Sequence, residues 1–221
     1  LIKIPNLTLH KLENKNSLAF LKPTKDFFVG SSSENVSCKK NQSQNFNEKY
    51  LEAQKGFNKY NDDFFRKIKL KYIVLCSELE IAGIPALGFA NPEMKTLILN
   101  INTNNSNFER VLHHEVFHII EHNFNKYFLN TSWSDLNSKE FKYSACSTCS
   151  NNYSLEKNHN SKGFVSEYAK STISEDMAET FSFMMSDKDL ILDMISKDEI
   201  LNKKVRAIKN IVRKLDIKNQ F

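Results

Sequence analysis

Residues 108 to 123, Phe-Glu-Arg-Val-Leu-His-His-Glu-Val-Phe-His-Ile-Ile-Glu-His-Asn, constrain this chain more than any other stretch. Leu112, Val116 and Ile120 recur four residues apart, which on a helix makes one apolar strip that must be buried. On another face His114 and His118 stand one turn apart, so both imidazoles can be presented to one ion. Zinc takes such nitrogens at roughly 2.0–2.1 Å, and Glu115 beside them is placed to take a proton from a metal-bound water.

Chance also produces such a pattern. With 6 His and 16 Glu in 221 residues, an HExxH run arises at random with a probability on the order of one in a hundred, so the reading requires a third ligand. Position 124 is Phe, which removes a His six residues after His118. His122 lies one turn further along, but three His on one helix would spread over more than two turns, too far for one tetrahedral ion. It is expected to face solvent or to support a ligand from behind.

The segment Ser174-Glu175-Asp176-Met177-Ala178-Glu179 offers a better donor. Glu175 and Glu179 again share a helical face, while Met177, Phe181 and Met184 form the core stripe of the same helix. Glu175 is then the expected third ligand, and Glu179 the acceptor for the outer N–H of a ligating imidazole. The competing reading is that Glu175 and Asp176 merely favour the helix N-terminus behind an N-cap at Ser174, with Glu179 in water. The HExxH run tips the balance towards the metal. Tyr168, seven residues before Glu175, is a candidate donor to the oxyanion of a tetrahedral intermediate.

Along the chain, residues 31 to 47 are Asn/Ser/Gln-rich without apolar period and read as a mobile linker, giving an N-terminal extension over 1–47 and one domain over 48–221. Residues 48 to 67 are helical in pattern, with Tyr50, Leu51, Phe57, Tyr60 and Phe64 near a 3.6-residue period. Residues 70 to 79 and 96 to 101 are rich in β-branched and aromatic side chains, and Gly83-Ile84-Pro85 and Asn91-Pro92-Glu93 between them are turn chemistry, predicting two or three antiparallel strands. Helices are predicted over 108–123, 174–186 and, with breaks, 188–218. Val205, Ile208, Val212 and Leu215 make the last of these amphipathic, with its charges facing water. The class is α+β.

The formal charge of +5 is spread over 31 basic and 26 acidic residues, which argues against a nucleic-acid surface. No apolar run approaches the roughly 20 residues of a membrane span. The chain opens at Leu1, so a processed or trimmed protein is expected, with export slightly favoured and no targeting segment visible. Cys38, Cys76, Cys146 and Cys149 allow disulfides without forming a dense framework. Cys76 sits in an apolar run where a buried free thiol is common. Cys146 and Cys149 read as a local disulfide or two free thiols rather than a second metal site.

HExxH followed by Tyr-x6-Glu-x3-Glu, together with His113-His114-Glu115, Trp133, Gly163-Phe164-Val165-Ser166-x-Tyr168-Ala169 and Glu175-Asp176-x-Ala178-Glu179, resembles the gluzincin peptidases of the anthrax lethal factor-like family and the bacterial zinc-binding metallopeptidases. The resemblance covers about residues 60 to 221. It implies a zincin-like fold: a small, mostly antiparallel sheet packed on the active-site helix, followed by a helical C-terminal subdomain. It also implies one Zn2+ on His114, His118 and Glu175, with Glu115 as base and Tyr168 at the oxyanion. The expectation is a monomeric zinc endopeptidase acting on a peptide or protein, its extended substrate pairing with the strand near 96–101. A zinc hydrolase of a non-peptide amide is the alternative. A zinc-stabilised binding module is a weaker one, since Glu115 and Tyr168 are both present.

Overall fold

The computed structural model describes residues 7–9, 17–31, 35–40, 46–61, 63–128, 132–149 and 161–215. The chain forms two units, Leu1–Ile119 and Ile120–Phe221. In the first, β1 (Leu7–Leu9), β2 (Ala19–Pro23), β3 (Phe27–Gly30) and β4 (Asn35–Cys38) precede α1 (Phe46–Phe57) and α2 (Phe64–Lys67). Then β5 (Tyr72–Cys76), β6 (Leu79–Ile81), β7 (Ile84–Ala86), β8 (Gly88–Asn91) and β9 (Thr96–Asn100) lead into α3 (Asn105–Asn123).

A five-stranded sheet has the order β1-β2-β5-β9-β8, and a four-stranded sheet the order β3-β4-β6-β7. Ile73, Val74, Leu75 and Cys76 of β5 are all buried, as an apolar run without alternation requires of a central strand. The expected antiparallel pairing of the two apolar runs is corrected: β5 and β9 are parallel, in register from Tyr72↔Thr96 to Cys76↔Asn100. β8 takes the opposite direction, antiparallel to β9, and so returns the chain to the end from which β5 started. Between β6 and β7, Ala82 and Gly83 have φ of 51° and 77°, the two positive values of the type I′ loop that matches strand twist. Pro85 belongs to β7 and not to a turn. It is tolerated because β7 is an edge strand, where a missing N–H costs no ladder bond.

The linker expected over 31–47 contains β4, which pairs with β3 on one side and β6 on the other. Backbone pairing does not require an apolar sequence, and this polar strand is anchored by a disulfide from Cys38 to Cys76. Cys76 is therefore not a free thiol. The bond ties β4 of one sheet to β5 of the other, within a core of Phe27, Val74, Leu79 and Ile98. Residues 32–34 and 41–45 of that segment lie outside the described ones. In α1, Tyr50 and Phe57 are buried as predicted, as are Tyr60 and Phe64 beyond it, but Leu51 is exposed.

The second unit is helical, with α4 (Ile173–Ser186), α5 (Lys188–Lys197) and α6 (Glu199–Lys214). The boundary before 188 and a break within the stretch read over 188–218 fall at two aspartates. Asp187 Oδ1 accepts from Leu190 N and Asp198 Oδ1 from Leu201 N, both at 3.0 Å, so each closes one helix and caps the next. Cys146 and Cys149 are bonded to each other. Among the described residues, small sheets with six helices make the class α+β, and no helix there is long and apolar enough to cross a membrane.

The Cys38–Cys76 bond spans 38 positions, and cross-linking a loop of that length stabilises by about 4 kcal/mol on chain-entropy grounds. Urea unfolding of Cys38→Ala/Cys76→Ala is expected to show a loss of this order. An unchanged midpoint would show that the cross-link contributes nothing to stability.

Candidate functional site

On α3, Leu112, Val116, Phe117, Ile119 and Ile120 are fully buried, so the helix has no freedom to turn its ligand face away. His114 and His118 project from consecutive turns with their Nε2 atoms 3.0 Å apart and their ring planes at 75°. Two ligands of a tetrahedral ion with zinc–nitrogen bonds of roughly 2.0–2.1 Å lie about 3.3–3.4 Å from each other. The imidazole pair is therefore convergent to within a few tenths of an ångström of what zinc asks. His122 is exposed to solvent.

The residue before the pair, His113, is wholly buried, and its Nδ1 lies 2.7 Å from Tyr60 OH. Its Nε2 is 3.5 Å from Glu109, which pairs with Lys59 at 2.7 Å. Burial pushes the His113 imidazole down and the Tyr60 phenol up, so both are neutral near pH 7. A neutral imidazole whose Nε2 faces a carboxylate carries its proton there, leaving Nδ1 to accept from Tyr60. The bond locks α3 to the turn after α1 at the residue next to His114. Nothing in the sequence paired Tyr60 with His113, because they are 53 positions apart.

In the second unit, the N-cap of α4 is Thr172 and not Ser174: Thr172 is extended (φ −144°, ψ 166°) and its Oγ1 accepts from Glu175 N at 3.2 Å. Ser174 is already helical and donates instead to Glu121. Glu175 thus stands in the first turn of α4, half-buried, while Glu179 is buried to 1% exposure, which rules out a solvated face. Ser166 Oγ donates to Glu179 Oε2 at 2.5 Å and accepts from Ala169 N at 3.1 Å. Glu179 therefore secures the turn at Tyr168–Lys170, which carries Tyr168, through Ser166.

Among the described residues, one group of three metal-ligating side chains can hold an ion: His114, His118 and Glu175, each offering one ligand atom, all within 4.8 Å of one another. Two imidazoles and a carboxylate are the donor set of a zinc site that keeps a coordination position open. The family described as "Putative zinc-binding metallo-peptidase" matches residues 39–221. The chain belongs to that family. No curated protein and no solved structure matches it.

In this metallo-peptidase the carboxylate beside Glu175 has a different task. Asp176 is fully buried and its Oδ2 accepts from Lys204 Nζ at 2.6 Å, Trp133 Nε1 at 2.8 Å and Tyr143 OH at 2.5 Å. Lys204, also fully buried, donates in addition to Gly163 O at 2.7 Å and lies 3.8 Å from the centre of the Phe164 ring. Burial pushes Asp176 up and Lys204 down, and each is the other's principal counterweight. The expectation that the α6 charges all face water is thus corrected at Lys204. It occupies the apolar stripe, three residues after Leu201 and four before Ile208, both buried, and that spacing was the available signal.

Lys204→Met leaves the Asp176 carboxylate buried without its cation and is expected to cost about 3–5 kcal/mol in urea unfolding, whereas Asp176→Asn/Lys204→Met should recover part of that loss. A single variant as stable as wild type would show that the pair does not hold this unit together.

Proposed function

We propose that this chain is a zinc-dependent endopeptidase whose metal is held by His114, His118 and Glu175. The observation that carries the reading is the convergence of two imidazole nitrogens and one carboxylate in a chain of the zinc-binding metallo-peptidase family. Zinc in such a donor set supplies Lewis acidity, polarising the scissile carbonyl and bringing the ionisation of water towards neutral pH.

The remaining work falls to the chain. Glu115, adjacent to His114 on α3, takes a proton from the attacking water and returns it to the leaving amine. Tyr168 donates to the oxyanion of the tetrahedral intermediate, and its turn is held in place by Ser166 and Glu179. Glu179 supports the site through that turn, and the acceptor role towards a ligating imidazole remains part of this proposal. The strand available to an extended substrate is β8 and not β9: β9 is flanked by β5 and β8, while β8 lies at the edge of the sheet. An added peptide backbone would continue the ladder from β8. The two disulfides favour an oxidising, extracytoplasmic setting.

Protein purified without chelator is expected to carry stoichiometric zinc by elemental analysis. Glu175→Ala should lose it, and unaltered zinc content in that variant would remove Glu175 from the ligand set. Glu115→Ala should keep zinc and lose peptide turnover by about 10²- to 10⁴-fold, and near-wild-type turnover would reject the base. New protein N-termini in a proteome treated with wild type, absent with Glu115→Ala, would identify peptide bonds as the substrate.

A further inference from the structure

Gly88, the first residue of β8, faces the candidate base. A Cβ built on Gly88 would lie 2.6 Å from Glu115 Cγ, 2.7 Å from Oε1 and 2.9 Å from Cδ, closer than any side-chain carbon is found in a folded protein. Gly88 does not have positive φ, so its backbone conformation is open to any residue and glycine is not there to relieve strain. The missing side chain makes room for one particular carboxylate.

Neither backbone can retreat. Gly88 pairs with Leu99 of β9, and the adjacent Asn100 donates from its backbone N to Leu87 O at 2.9 Å and from its side chain to Ala86 O at 3.2 Å. On the other side α3 is fixed by Leu112, Val116, Phe117 and Ile119, all fully buried. The movable partner is the Glu115 side chain, which can leave its rotamer at small cost.

We infer that Gly88 is a positioning residue: the absence of a side chain at this point of the edge strand seats the Glu115 carboxylate where it acts as the base. The inference rests on the peptidase reading above. A methyl group at position 88 is absorbed by displacing the carboxylate, so fold and metal survive while the proton transfer loses its geometry. A displacement of about 1 Å in a reacting group can cost on the order of 100-fold in rate.

The test is Gly88→Ala in the full chain, alone and combined with Glu115→Ala. The single variant is expected to retain zinc and its thermal midpoint, to keep KM, and to lose about 100-fold in kcat. In the Glu115→Ala background the same substitution is expected to leave residual turnover unchanged, since the group it displaces is gone. A rise in KM at constant kcat would overturn the inference, making the glycine room for substrate. A further loss in the Glu115→Ala background, a collapse of the thermal midpoint or loss of zinc would overturn it too, each assigning Gly88 another task. If wild type cleaves no peptide, the peptidase reading fails by itself. The seating of Glu115 is then still decided by crystal structures of wild type and Gly88→Ala: a displaced carboxylate supports it, and an undisplaced one overturns it.

Discussion

A carboxylate that is completely removed from water has to be matched by donors, and in the helical unit that requirement organises everything around Asp176. Its Oδ2 collects Lys204 of α6 and, from the stretch before α4, Trp133 and Tyr143, donors that lie on both sides of it in the sequence. Lys204 in turn holds the carbonyl of Gly163, whose own N–H donates to Asp198, the N-cap of α6. Gly163 has φ of 89° and approaches Ile200 so closely that a Cβ would collide with it. Buried charge is a poor source of net stability but a severe penalty when unmatched. The network therefore specifies one arrangement of the start of α4, and with it the placement of Glu175.

In the first unit α3 is held beside its candidate ligands by a buried imidazole. His113 bonds Tyr60 through Nδ1, faces Glu109 through Nε2, and stands immediately before His114. Leu112, Val116 and Ile120 fix the rotation of the helix, and Gly88 leaves space for Glu115 on the side of the sheet edge. The rotation of α3 is thus fixed by its buried face, while the shape of the sheet edge leaves room for Glu115. Pre-organisation of this kind is what a site for proton transfer needs, because its contribution depends on distance and direction more than on the strength of any one contact.

What the sequence discloses follows from how local each feature is. His114 with His118, and Glu175 with Glu179, are related by one helical turn, so spacing alone places each pair on a common face. The ends of α3 and α4 are legible to within a few residues, although the cap of α4 is Thr172 and not Ser174, since either hydroxyl has suitable chemistry and only the backbone conformation separates them; the helical stretch read over 48–67 is instead two helices, α1 ending at Phe57 and α2 starting at Phe64. The parallel pairing of β5 with β9, the bond of Cys38 to Cys76 and the meeting of Tyr60 with His113 depend on contacts between distant segments, for which one sequence carries no periodic signal. Lys204 is intermediate: its position in the apolar stripe could be read, but its partner could not. Gly88 was silent, because the need for glycine arises only once β8 is set against α3.

Composition misled most over the first 47 residues. An Asn- and Ser-rich stretch reads as linker because it offers little apolar area to bury, yet a strand between two neighbours gains its order from backbone hydrogen bonds on both sides. β2 supplies the parallel neighbour of β5, and β4 carries the partner of Cys76. The family match begins at residue 39, after both of these strands. A chain cut at 47 would expose one edge of β5 and leave Cys76 as an unpaired thiol in the core, and an exposed apolar edge invites pairing with another chain. The N-terminal strands are thus structural members of the unit that carries His114, Glu115 and His118, and the folding unit reaches further towards the N-terminus than the sequence motifs that reveal the chemistry.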